Sequence, residues 1–388
     1  TEVKLTIFPF ILTVLDSITL PNLLDHIFYS LHATITQFEK WNLIMETMSV
    51  FEDSTEFVNN GTELRRRLDE NSYIFIRGLL PKNIILNIRS RLLEKAASGG
   101  WLNPSYPIEK GVANLAASCK DPEEQYMKIF RTLWKDEELH RARIHENVLE
   151  LFATIFGEPA LAHPMFVQRN IFPQHETFDF TTGAHQDKVH IGGSTNYAMW
   201  VPIGDCSIDK GPLAIASGSH LNGILDTRVG TGAGGMDIAV EIPGTWVTGP
   251  FEAGDVLIFS DTTVHKALPN KSDEIRQSFD ARYQPVRTAV AEPNLHPYSG
   301  TGTWQEVYSE WESDAGQYYW EKLNLKTVPF DTQYYEARDQ MAFEMAENGD
   351  RLSRDTLLRI IQRDKDAEKI HRAQSLINSM DRSGTPNL

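Results

Sequence analysis

From about Leu161 to Pro285 the sequence breaks into short β-favouring runs separated by Gly, Pro, Asn and Asp. The runs are MFVQRNIF, FDFTTGAH, NYAMWVPI, PLAIA, GTWVTG, DVLIFS and IRQSFDARY. No run of this length can bury an apolar face by itself, so near-regular repetition of such runs predicts a β-sandwich or barrel. Gly230 to Gly235 (GTGAGG) lacks the Lys-Ser/Thr of a phosphate loop and opens no helical pattern, so it reads as a flexible loop.

Helical periodicity flanks this block on both sides. Residues 17–50 read as helical, with Pro21 at a first-turn position and Leu23, Leu24, Ile27, Phe28 and Leu31 forming one stripe. A helix over Thr62 to Asp69, a strand over Tyr73 to Ile76 and a helix over Pro81 to Ala97 follow. Gly99 and Gly100 close that helix. Residues 121–156 read as helical, with Asp121-Pro122 as cap and first residue. Helical character returns from about Trp304, in Tyr334 to Glu347 and Arg354 to Met380. The expected organisation is an N-terminal helical extension (1–60), a β-rich domain with supporting helices (61–300) and a C-terminal helical extension (301–388). The class is α+β with a mainly β core. The helical ends are candidates for a lid or a homodimer contact.

Charge and cysteine content narrow the function. Acidic residues outnumber basic ones by 53 to 37, a net charge of -16, which argues against partnership with nucleic acid or an anionic membrane. The apolar stretch Leu5 to Leu15 contains Pro9 and has about half the ~20 residues a spanning helix needs, so no membrane segment is expected. Two cysteines, Cys119 and Cys206, support neither a disulfide framework nor a Cys-based zinc site. A reducing, cytoplasmic setting follows.

The chemistry-bearing residues begin with TTGAHQDKVH. On a strand, His185 and Asp187 would project from one face. Later, GDVLIFSDTTVHKALPN carries an apolar strand into His265, and IRQSFDARY then puts Arg276 and Ser278 on one face of a return strand. Two imidazoles and a carboxylate on one side of a metal leave three adjacent positions open. That suits non-heme Fe(II), where a bidentate co-substrate and dioxygen bind together. Arg276 offers a fixed fork to the far carboxylate of a dicarboxylate, and Ser278 adds a hydroxyl. His-x-Asp alone is common by chance, and a strand histidine is more often simply hydrogen-bonded. The ordered combination is what points to a metal. His220 has no ligand spacing, and a structural role or one supporting the ligands is expected for it; His140, His145, His163, His175 and His296 belong to no evident constellation.

The phrases AHQD (184–187), YAMWVPIGDC (197–206), GPLAIASGSH (211–220), GDVLIFSDTTVHKALPN (254–270) and IRQSFDARYQP (275–285) resemble the phytanoyl-CoA dioxygenase family of Fe(II)/2-oxoglutarate oxygenases. The resemblance implies a double-stranded β-helix (jelly-roll, cupin-like) core, with Fe(II), 2-oxoglutarate and O2 as the reacting set. It implies His185, Asp187 and His265 as iron ligands, Arg276 at the 2-oxoglutarate C5 carboxylate, and Gln186 and Trp200 lining that pocket. Related halogenases carry a small residue at the position of Asp187, so oxygenation is expected instead. Gln168, Asn170, Lys188, His190 and Asn196 are candidate substrate contacts, a solvated or cross-strand role being the alternative for Gln168 and Asn170 and a structural role or one supporting the ligands for His190.

The expected activity is oxidation of a C–H bond of a small metabolite, releasing succinate and CO2, by hydroxylation, desaturation or oxidative cyclisation. The acidic chain disfavours a CoA substrate, whose phosphates call for clustered Lys and Arg. The rivals are a cupin-type metal hydrolase or isomerase, a protein-directed hydroxylase, and a non-catalytic barrel.

Overall fold

The computed structural model describes residues 48–383 apart from Thr177 and Asp179. The expected helix over 17–50 therefore lies outside the described residues up to position 47. Its last residues, Ser49–Val50, form a strand instead (β1).

In chain order the elements after β1 are α1 (Gly61–Asn71), β2 (Tyr73–Ile76), α2 (Lys82–Ser98), α3 (Glu124–Trp134), α4 (Glu137–Ala142), α5 (Glu146–Phe156) and β3 (Ala160–Ile171). There follow α6 (Lys188–Ile191), β4 (Tyr197–Pro202), β5 (Leu213–Ser217), β6 (Thr227–Val229), β7 (Met236–Ile238), β8 (Thr245–Thr248), β9 (Val256–Ser260), β10 (His265–Ala267) and β11 (Arg276–Pro285). The last are β12 (Ala289–Ala291), α7 (Trp304–Tyr308), β13 (Lys326–Val328), α8 (Gln333–Glu347), α9 (Arg354–Arg363) and α10 (Ala367–Ser383). The protein is mixed α+β. No helix among the described residues is long and apolar enough to cross a membrane.

Two sheets carry the core. One has the order β2-β9-β4-β11-β3, antiparallel throughout, and the other the order β1-β8-β5-β10. Two-residue periodicity divides the larger sheet cleanly. Ile74, Ile76, Met199, Val201, Ile258, Phe279 and Tyr283 pack in a core shared with α1, α2, α3 and α5. Their neighbours Tyr73, Phe75, Ala198, Trp200, Leu257 and Phe259 pack with Leu213, Ile215, Val247 and Ala267 of the smaller sheet. A strand buried on both faces reads as a continuous apolar run, which is why VLIFS was legible as a strand.

Several boundaries differ from expectation for local reasons. Residues 121–156 form three helices, with Asp121-Pro122 ahead of the first. The chain breaks at Asp136, whose carboxylate caps α4 through Leu139 N at 3.3 Å and pairs with Arg91 and Lys95. The segment 354–380 divides likewise. Asp364 accepts from Lys365 N and Asp366 N, and Asp366 accepts from Glu368 N, so capping carboxylates stop α9 and start α10. The described residues of FDFTTGAH form no strand beyond isolated bridges. The segment 301–388 is not purely helical, since β13 pairs in parallel with β12.

GTGAGG is the turn of the β6–β7 hairpin, tied down by Asp237, whose carboxylate accepts from Thr231 N and Gly232 N. Gly234 there has φ +64, and a Cβ on it would meet the His190 ring at 2.8 Å. The hairpin and α8, α9 and α10 share their own apolar cluster, built on Val229, Met236, Phe343, Leu357, Ile360 and Ile377.

Candidate active site

The two histidines are set side by side by backbone pairing. His185 N donates to His265 O and His265 N to His185 O, each at 3.0 Å, at the end of β10. His185 is thus in a single bridge, and Asp187 is not on a strand: it precedes α6, with its carbonyl accepting from His190 N and Ile191 N. The expected strand geometry is wrong, yet the helical turn brings the carboxylate back onto the imidazoles. Asp187 Oδ1 lies 3.8 Å from His185 Nε2, and Oδ2 lies 3.8 Å from His265 Nε2. One ligand atom from each residue falls within 4.8 Å of the others, and all three residues are buried.

The donor set fits a divalent metal. His185 Nδ1 donates to Gly183 O at 2.8 Å and His265 Nδ1 to Thr263 O at 3.0 Å, which leaves both Nε2 lone pairs directed at Asp187. Burial, with the neighbouring imidazole, pushes the His185 pKa well below its ordinary value, and burial lowers that of His265. Both rings are therefore uncharged at neutral pH, the state in which an imidazole can ligate a metal. Burial opposes ionisation of Asp187, but the Arg282 guanidinium overrides it and holds the carboxyl well below the usual range.

Two cavities meet here, both bordered by Arg169 and Thr182. The smaller, about 20 Å³, is lined by His185, Trp200, Phe259, His265, Arg276 and Asp280. Arg276 is 2% exposed, lies near Trp200 and donates to Gly211 O at 2.7 Å; its Nε has no partner among the described residues. Burial lowers its pKa to about 10. Ser278 Oγ, on the same face of β11, is also buried without a partner. Gln186 does not line this cavity. It faces the other way from its neighbours, donating to Gly223 O and Thr262 O and accepting from Leu225 N.

The larger cavity, about 160 Å³, is bordered by Asp187 and by Gln168, Asn170 and His190. Gln168 and Asn170 bond each other in both directions at 2.9 Å, and Asn170 also meets Tyr126 and Gln277. His190 Nδ1 bonds Tyr335 Oη at 3.0 Å. Lys188 and Asn196 are not on its wall; both are held by Asp261. Of the other described histidines, His163 bonds Gln284 and His220 bonds the Asp69 carbonyl.

Three groups went unseen in the sequence. Arg276, Ser278, Asp280 and Arg282 occupy alternate positions of β11, and extending the Arg-x-Ser spacing two steps would have found the last two. Arg282 Nη2 donates to Asp187 Oδ2 at 2.7 Å and to Asp280 Oδ2 at 3.1 Å. The GTGAGG turn lines the larger cavity, as do Tyr335, Arg359 and Arg363 of the C-terminal segment; no spacing signal announced them.

The phytanoyl-CoA dioxygenase family profile matches residues 68–278, more than half of the 388. The chain belongs to that dioxygenase family. Within it, 1-deoxypentalenic acid 11-beta-hydroxylase of Streptomyces exfoliatus is 28% identical over 259 residues, spanning 62% of this chain and 87% of the relative. Phytanoyl-CoA dioxygenase domain-containing protein 1 of Bos taurus is 25% identical over 189 residues, spanning 44% of this chain and 62% of its own length. Among solved structures, the epimerase SnoN in complex with Fe3+ and alpha ketoglutarate is 21% identical, with a TM-score of 0.41, over 63% of this chain and 91% of that one. The family match ends before Arg282 and before the C-terminal helices that help enclose the larger cavity.

Proposed function

We propose that the protein is an Fe(II)- and 2-oxoglutarate-dependent oxygenase that oxidises a C–H bond of a small metabolite in the cytoplasm, with its two facing sheets forming a double-stranded β-helix. The convergence of His185, Asp187 and His265, with both histidine Nδ1 atoms occupied by backbone carbonyls, carries the reading. These three residues are the ligands in this proposal. The bound metal would couple O2 to decarboxylation of 2-oxoglutarate, so that substrate, O2 and 2-oxoglutarate give hydroxylated substrate, succinate and CO2.

The protein's own part is to hold and exclude. Arg276, buried and with donors to spare, receives the distal carboxylate, with the Ser278 hydroxyl beside it. The space there is tight for a dicarboxylate, so its arrival moves the Arg276 head off the Gly211 carbonyl. Trp200 walls the pocket, and Arg282 fixes the carboxylate plane of Asp187. The larger cavity takes the prime substrate. It is near the volume of a cavity that accepts one benzene ring, which supports a small molecule over the bulk of a CoA thioester. A metal hydrolase would leave Arg276 without a purpose.

The test is succinate release from 2-oxoglutarate by the purified full chain across a metabolite panel. Dependence on both Fe(II) and 2-oxoglutarate is expected; turnover without 2-oxoglutarate would sink the reading. Product mass then separates gain of oxygen from loss of two hydrogens.

A further inference from the structure

Among the described residues, the wall of the larger cavity carries more positive charge than its carboxylates neutralise. Arg359 and Arg363 lie one turn apart on α9 and share a single acid: Arg359 Nη1 meets Asp121 Oδ2 and Arg363 Nη2 meets Asp121 Oδ1, each at 2.9 Å. The other cations are matched. Lys120 has Asp355 at 2.8 Å, while Arg169 and Arg282 have Asp280 and Asp187. Among the described residues, one guanidinium at the Asp121 cluster is therefore in excess. A divalent metal with a dianionic co-substrate would not offset it.

Arg363 keeps 28% of its side chain exposed, and the buried member of the pair is Arg359. Arg359 is 8% exposed and its Nε has no hydrogen-bond partner. An uncompensated buried cation is strongly unfavourable unless an anion completes it. Leu357 and Ile360 anchor α9 in the C-terminal cluster, so the two guanidiniums are held in place. Tyr126, Phe130, Phe180, Tyr298 and Tyr335 border the same cavity, giving an aromatic surface between charged groups.

We propose that the prime substrate is a carboxylic acid, and that Arg359 and Arg363 bind its carboxylate while the aromatic wall holds the remainder against Asp187. This rests on the oxygenase reading and adds the substrate class. A single excess charge matches a monoanion better than a phosphate dianion, and paired guanidinium forks match the planar carboxylate. The residues belong to the C-terminal segment, beyond the family match, so they set this chain's own specificity.

The test measures binding of phenylacetate, methyl phenylacetate and phenylacetamide to the full chain by calorimetry, with and without Co(II) and 2-oxoglutarate. Phenylacetate is expected to bind roughly tenfold or more tighter than the neutral pair, the scale of a charge-assisted hydrogen bond. Arg359→Gln and Arg363→Gln should erase that preference, Arg363→Lys should keep much of it, and Asp121→Asn, by freeing a guanidinium, should increase it. Equal binding of acid and neutral probes, binding of none, or a preference that survives both glutamine variants overturns the proposal. Should the glutamine variants misfold, a weaker preference in Asp121→Asn overturns it instead. Co(II) absorbance bands report the metal site separately. Their absence in the wild type counts against the oxygenase reading, whereas their presence without an acid preference counts against the carboxylate site alone.

Discussion

Arg282 Nη2 and Asp187 Oδ2 are 2.7 Å apart although 95 residues separate them in the chain. The pair joins the inner face of β11 to the turn that follows His185. The guanidinium takes one edge of the carboxylate, and the two imidazoles face the rest. Asp280 shares the same guanidinium, so the cation would stay paired if Asp187 turned to a metal.

Arg282→Gln is expected to weaken Co(II) binding about 10–100-fold, the usual effect of losing a residue that orients a metal ligand. Titration of the metal with an absorbance readout checks this, and Arg282→Lys should recover part of the loss. Unchanged affinity would remove Arg282 from the positioning of Asp187.

His265→Ala should abolish Co(II) binding and 2-oxoglutarate turnover while leaving the circular dichroism spectrum intact. The backbone pair with His185 does not depend on the side chain. Retained metal binding would mean that the ligand set is wrong.

Arg276→Ala is expected to raise the 2-oxoglutarate requirement by about 10–100-fold, the range for loss of charge-assisted hydrogen bonds. The dependence of succinate release on 2-oxoglutarate concentration measures it. An unchanged requirement would place the distal carboxylate elsewhere.

Gln186→Ala should do the opposite. Its amide bonds Gly223, Leu225 and Thr262, so the variant should lose about 1–3 kcal/mol of stability from unsatisfied groups. The 2-oxoglutarate requirement should stay within twofold of the wild type. A denaturant melt and the same concentration series separate the two effects.

Asp121 gives a pH signature. Burial opposes its ionisation, but Arg359 and Arg363 prevail and bring its pKa to about 2 from 3.8. A depressed acid contributes stability that is complete above the unfolded value and disappears as pH falls toward the folded one. Asp121→Asn should therefore be less stable at pH 7 and lose less than the wild type between pH 4 and pH 2. Parallel stability curves over that window would contradict the pairing.

The fold was legible where burial imposes a simple period. The apolar run Val256–Ser260 and the strand Tyr73–Ile76 are covered on both faces, and helices such as Lys82–Ser98 show a single apolar stripe. Residues 121–156 were misread as continuous because two capping side chains, Asp136 and His145, interrupt the helical pattern.

The sequence by itself determined which residues could bind a metal, since His, Asp and Arg occur in a fixed order around an apolar strand, and residue type and order are local properties. Only the tertiary structure decided how they meet. A bridge and a helical turn, not a strand, bring Asp187 between the imidazoles, and Arg282 joins it from a strand near the far edge of the larger sheet. The same holds for the substrate wall. Arg359 and Arg363 look like ordinary surface charges on a helix until α9 packs against the β6–β7 hairpin, which buries Arg359 and brings both to Asp121. Charge pairing depends on distance through space, and the linear spacing of residues so far apart carries no record of it.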